Sequence, residues 1–198
     1  FASYFPIPRD AETAIDGEWR TAPGKELFDT IKKAYPNGKI IAEDLGFITD
    51  DVRELLQYTS FPGMKVIQFA FYDDDNEYLP RMYENENCIV YTSSHDSDCT
   101  RSWFESLDEN ARERFDKECD LKEYQTPTSA CIDMAMSSIA NLCIITLQDY
   151  LELTNEEGRI NIPSKPDGNW TFRIDKNLMT DGLEKKIYVF TEKSGRLK

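Results

Sequence analysis

The chain has 198 residues, 40% hydrophobic and 12% aromatic, with a formal net charge of -14. That is enough apolar side chain for one ordinary domain with a core, and the wrong mixture for disorder. A surface this acidic repels nucleic acid and anionic membrane, so neither is expected as a partner; an uncharged substrate is indifferent to it, and solubility alone would also account for it.

The opening run Phe1-Ala2-Ser3-Tyr4-Phe5-Pro6 is apolar and aromatic where termini are usually polar, so it reads as an internal stretch of a longer protein. Leu27, Phe28, Ile31 and Ala34 recur at helical spacing and predict a helix over residues 25–35, closed by Pro36-Asn37-Gly38. Lys39-Ile40-Ile41-Ala42-Glu43 is a β-branched run leading into acids and Gly46, which predicts a buried parallel strand with polar groups at its end. Thr49 is the expected N-cap of the next helix, with Asp50 and Asp51 in its first turn.

After Pro62-Gly63, strands are expected at 64–69 and 88–92, helices at 101–118 and 129–140, and a fourth strand at 142–148. A short helical piece at 149–153, a polar loop at 155–169 and two packing segments at 170–174 and 183–191 complete the chain. Strands alternating with helices argue for an α/β fold with a parallel sheet; a doubly wound sheet and a (β/α)8 barrel both fit. No Gly-rich phosphate-binding turn follows a strand, which counts against a nucleotide site.

Five cysteines, Cys88, Cys99, Cys119, Cys131 and Cys143, are odd in number and lack CxxC spacing. With no secretory leader in view, reduced thiols and a cytoplasmic location are expected. His95 is the sole histidine, so no metal site is expected.

Functional groups of parallel α/β folds gather where strands end. Three expected strands end in polar clusters: Glu43-Asp44, Gln68 followed by Asp73-Asp74-Asp75, and His95-Asp96-Ser97-Asp98. Carboxylates and an imidazole on one rim can transfer protons and stabilise a developing cation, and cleavage of a glycosidic bond needs both. Phe47, Phe69, Phe71, Tyr72 and Tyr91 lie near these rims and could stack on sugar faces. Each feature also has a plain structural reading: a charge pair at a helix start, a local His–Asp pair, a solvated acidic loop, core aromatics. From the residues alone the chain is an α/β protein with an enzyme-like rim.

Four segments carry the argument further. Ile40-Ile41-Ala42-Glu43-Asp44-Leu45-Gly46 resembles the acid/base segment of the amylomaltase (4-α-glucanotransferase) family, and Phe61-Pro62-Gly63-Met64-Lys65-Val66-Ile67-Gln68-Phe69-Ala70-Phe71 is similar to the strand after it. Tyr91-Thr92-Ser93-Ser94-His95-Asp96-Ser97-Asp98 resembles the family's HDND segment, and Pro166-Asp167-Gly168-Asn169-Trp170 its PEGNW signature. The resemblance covers nearly the whole chain in the right order. It implies Glu43 as general acid/base, Asp96 as the carboxylate that stabilises the transition state, and His95, Phe69, Asp73 and Asn161 as sugar contacts. Ser97 stands where the family has Asn, and Arg159-Ile160-Asn161-Ile162-Pro163-Ser164 departs from its ArgMetAsnThrProGly loop, which bears on acceptor preference.

The resemblance further implies a partial (β/α)8 TIM barrel, about strands five to eight, with residues 1–198 forming one domain. The expected partners are maltooligosaccharides or other α-1,4-glucans, with no cofactor. The family's nucleophilic Asp has no counterpart here and is expected upstream. An α-amylase-type hydrolase and a non-catalytic glucan-binding fragment are the alternatives. A half-barrel with open edges is also expected to be homo-oligomeric.

Overall fold

The structure, a computed structural model, describes residues 1–46, 48–119, 121 and 126–197; Phe47, one of the rim aromatics, lies outside them. The chain divides into two compact units, Phe1–Met64 and Lys65–Lys198.

In the first unit, β1 (Ser3–Tyr4) pairs antiparallel with β2 (Arg20–Thr21), and α1 (Gly24–Ala34) and α2 (Asp50–Thr59) follow. Helix α1 matches its predicted span because its apolar stripe has rings to meet: Phe28 sits edge-on to Phe1 and Phe61, with centroids 5.2 and 5.3 Å apart. Thr49 is the N-cap of α2, and its hydroxyl donates to the Asp51 carboxylate. Ser60 ends α2 in the left-handed conformation at φ 55°.

The strand expected over residues 39–43 is a correction. The segment has no regular secondary structure, and Ile41 is 45% exposed. Its ladder bond from Ala42 N to Pro62 O is 2.9 Å. One such bond does not make a strand, and a β-branched run stays irregular where no second ladder buries it.

A three-stranded sheet has the order β3 (Gly63–Val66), β4 (Cys88–Tyr91), β5 (Leu142–Ile144). β4 and β5 run parallel, with Ile89 opposite Leu142, Val90 opposite Cys143 and Tyr91 opposite Ile144. Val90 and Cys143 face the main core, whose centre is Phe71, Trp103, Phe104 and Phe115. The Phe115 ring lies 5.0 Å from Phe71 and 4.9 Å from Phe104.

Around the sheet lie α3 (Thr100–Ser106), α4 (Glu109–Glu118), α5 (Pro127–Ser137), α6 (Leu147–Tyr150), α7 (Asn155–Gly158) and α8 (Asp181–Lys193). Helix α5 is buried along most of its length and starts with Pro127 behind the Thr126 cap. At its C-terminal end Arg196 donates to the oxygens of Met136, of the C-cap Ser138 and of Ala140 beyond it, at 2.7–2.8 Å. Helix α8 packs on a second cluster of Ile132, Met136, Tyr150 and Leu183. The fold is thus mixed α/β.

Several predicted boundaries move: the helix expected over 129–140 is α5 at Pro127–Ser137, the helical piece expected over 149–153 is α6 at Leu147–Tyr150, and the loop expected over 155–169 opens with α7. Three more shifts have a visible cause. The strand expected over 64–69 stops at Val66, where the chain turns into a 3-10 turn that buries Gln68. The strand expected over 142–148 stops at Ile144, because Thr146 caps α6. The helix expected over 101–118 is two helices, broken where Asp108 accepts the Ala111 N–H at 2.8 Å.

Candidate active site

Strand β4 delivers the chain to Thr92 and Ser93, both buried, and α3 takes it away from Thr100, also buried. Between these two anchored feet, residues 94–99 form a tight loop. The Ser97 hydroxyl closes it, accepting the Ser94 N–H at 2.7 Å and donating to the Ser94 carbonyl at 3.0 Å. Serine in place of the expected asparagine is therefore a turn-forming residue. The loop puts His95 and Asp96 outward with half-exposed side chains.

Asp96 is gripped on both oxygens. Its Oδ2 lies 3.3 Å from His95 Nε2, and its Oδ1 accepts from Asn161 Nδ2 at 2.5 Å. Trp170 lies beside the His95 ring, with centroids 5.1 Å apart and planes tilted by 37°. Asn169 fastens the loop that carries Asn161: it accepts the Ile162 N–H at 2.9 Å and donates to the carbonyls of Ile162 and Lys165. Trp170 itself has φ +62°, an uncommon conformation for so large a residue, and its N–H bonds to Ile160 O at 2.8 Å.

Arg159 ties this loop to the His95–Asp96 loop. Its guanidinium is ion-paired with Asp98 and donates to the carbonyls of Asn161 at 3.0 Å and Asp96 at 3.4 Å. Asp98 also accepts from Asn155 Nδ2 at 2.9 Å, and Asn155 Oδ1 accepts the Cys99 N–H at 2.9 Å. The Cys99 thiol is pushed up to about 12, chiefly by burial and then by Asp149 and Asp98, so it is an inert neighbour.

A cleft of about 290 Å³ opens beside Asp96, lined by Gln68, Phe69, Tyr72, Ser94, Asp98 and Arg159 among others. Phe69 is held edge-on against Tyr78 at 5.5 Å, and Tyr72 is 67% exposed. Aromatic faces, carboxylates and a guanidinium around a shallow cleft suit a polyhydroxylated ligand. Phe71 is core, 1% exposed, and burial raises the Tyr91 phenol. Asp73 is placed apart: it lines a different recess with Arg81 and Arg114, and its carboxylate accepts from Asn76 at 3.1 Å. Among the described residues no group of three or more His, Cys, Asp and Glu could hold a metal ion.

In the first unit, Glu43 is exposed and its backbone is fixed from both sides. Ala42 N bonds to Pro62 O, and the Asp44 carboxylate accepts the Met64 N–H at 2.7 Å. Asp44 is thus a structural anchor, and among the described residues Glu43 is the unengaged member of the pair.

The 4-alpha-glucanotransferase family profile matches residues 1–179. The chain belongs to the 4-alpha-glucanotransferase family. It is 42% identical to the 4-alpha-glucanotransferase of Aquifex aeolicus over 191 residues, which is 96% of the chain and 38% of that relative. With the Clostridium butyricum 4-alpha-glucanotransferase it shares 41% over 198 residues, 99% of the chain and 40% of the relative. The amylomaltase from Streptococcus agalactiae in complex with acarbose superposes with a TM-score of 0.91 at 32% identity, covering 98% of the chain and 39% of that structure. The chain therefore spans about two fifths of the length of the 4-alpha-glucanotransferases it matches.

Within this family frame, two groups stand out that spacing did not mark as site residues. Arg159 was visible only as part of a loop motif, and Asp149 only as the start of a helical piece. The available signal for Asp149 was position: an acid directly after the strand expected over 142–148, where parallel α/β folds keep functional groups.

Proposed function

We propose that residues 1–198 form about strands five to eight of a (β/α)8 barrel in a retaining 4-α-glucanotransferase, and act on α-1,4-glucans. The observation that carries this reading is the Asp96 carboxylate, held between His95 and Asn161 at the end of β4 and beside an aromatic cleft. A negative charge fixed there would stabilise the oxocarbenium-like state of a glycosyl group, and fixed charge is worth most when it needs no rearrangement. The acarbose-bound relative supports a glucan-like ligand.

In this reading Glu43 protonates the leaving glycosidic oxygen while an Asp outside these residues attacks the anomeric carbon. Glu43 then takes the proton from the 4-hydroxyl of an acceptor glucan, which displaces the enzyme. His95, Phe69 and Asn161 contact sugar, with Asp73 more distant. The chemistry calls for no metal or organic cofactor. A cytoplasmic location remains part of the reading; the potato relative is named as chloroplastic/amyloplastic, and among the described residues no helix is long and apolar enough to cross a membrane.

The test uses maltotriose and the full-length enzyme. Glucose plus longer dextrins is the expected product pattern, whereas glucose and maltose alone would indicate a hydrolase. Glu43→Gln is expected to abolish transfer while glucosyl fluoride, which leaves without a proton, still glycosylates the enzyme. Wild-type turnover of maltotriose by Glu43→Gln would refute the assignment. The 198-residue chain alone is expected to be inactive.

A further inference from the structure

We infer that Asp149 is the positioning residue for the His95–Asp96 loop, an inference that rests on the role proposed above for Asp96. Asp149 sits in the first turn of α6, just after β5, and is 1% exposed. Its Oδ2 accepts the hydroxyls of Thr92 at 2.5 Å and Ser93 at 2.9 Å; its Oδ1 accepts the Thr100 N–H at 3.0 Å. Thr92 and Ser93 are the last residues before the loop, and Thr100 is the first after it. One carboxylate therefore holds both feet of the segment that carries His95 and Asp96.

Two further observations separate this from ordinary packing. Among the described residues no Lys or Arg pairs with Asp149, and burying a carboxylate without a cation is unfavourable unless its donors are well placed. Helix α3 has Cys99 at its N-cap, which makes no side-chain capping bond; Asp149 supplies that cap from another element. The same group thus sets where β4 ends, where α3 begins, and the span between them. It does not reach the cleft, so it acts through Asp96 and not on substrate.

The experiment is a double-mutant cycle on the full-length enzyme, with maltotriose disproportionation as the readout. Asp149→Ala is expected to lower kcat about 10- to 100-fold, as misplacement of a catalytic group by up to about 1 Å does, with KM changing less. Asp149→Asn should recover much of this, because Oδ1 still accepts from Thr100 and the two hydroxyls can turn to accept from the amide. In an Asp96→Asn background, Asp149→Ala should cost less than about threefold, since there is no carboxylate left to misplace. The pair Thr92→Val with Ser93→Ala removes donors while keeping Asp149; it serves if Asp149→Ala does not fold, and the same loss of effect beside Asp96→Asn is expected. Equal fold-losses in the two backgrounds would overturn the inference alone. Wild-type kcat for Asp96→Asn would overturn the proposed role of Asp96, and this inference with it.

Discussion

Glu43 and Asp44 look interchangeable in sequence, and the fold gives them different work. Asp44 reaches the Met64 N–H because Gly63 has no side chain; a Cβ there would stand 2.2 Å from Asp44 Oδ2. Gly63→Ala should therefore drive Asp44 off its donor and cost about 1 kcal/mol, the net worth of a typical hydrogen bond, this one being part-buried. A lower urea midpoint at unchanged slope is the expected result. In an Asp44→Ala background the same change should be near neutral; a full penalty there would show that the crowding comes from elsewhere. Residue identity made the acids at the chain's polar turns legible, but not which of them are engaged. Asn161 lies 65 positions from Asp96, and no spacing rule brings its amide onto that carboxylate. The resemblance named both residues; it did not show that the loop carrying Asn161 holds Asp96 directly.

Periodicity was most reliable in α1, which lies one residue from its expected span and packs Phe28 against Phe1 and Phe61, and least where a local cap intervenes. Trp103, Phe104, Ala111 and Phe115 keep enough helical spacing across residues 101–118 to read as one helix, and all four enter one core. The interruption is written in Asp108, whose carboxylate takes the Ala111 N–H and starts α4 afresh. Asp108→Ala is expected to destabilise the protein by about 1 kcal/mol, with Asp108→Ser recovering most of it. An unchanged denaturation midpoint for Asp108→Ala would mean that core packing alone sets the break. The β-branched run at 39–43 misled in the opposite sense. Its residues favour a strand, but a strand is a property of pairs, and composition does not report whether a neighbour is there to pair with. The same limit applies at Ile144, where Thr146 diverts an apolar run into α6.

The sheet itself has one consequence for the whole chain. Its order ends at β5, so among the described residues β5 is an edge strand. Cys143 points into the core, while Leu142 and Ile144 point to the other face and are 45% and 37% exposed. Beside them on β4 stand Ile89, which is buried, and the half-buried Tyr91, so the exposed apolar side chains of this face are those of β5. An open edge next to an apolar face is a template for pairing. At roughly 25 cal/mol per Å², burying about 400 Å² contributes about 10 kcal/mol, against association costs of about 4–15 kcal/mol. The two are comparable, so a concentration-dependent dimer is expected, not a tight one. The 198-residue chain should therefore scatter as more than its 22.9 kDa mass at micromolar concentration and approach it on dilution. Ile144→Lys, which puts a charge on the exposed edge, should shift the equilibrium toward monomer. A monomer at every concentration, with no binding of a hydrophobic dye, would show that this face is covered by the chain itself.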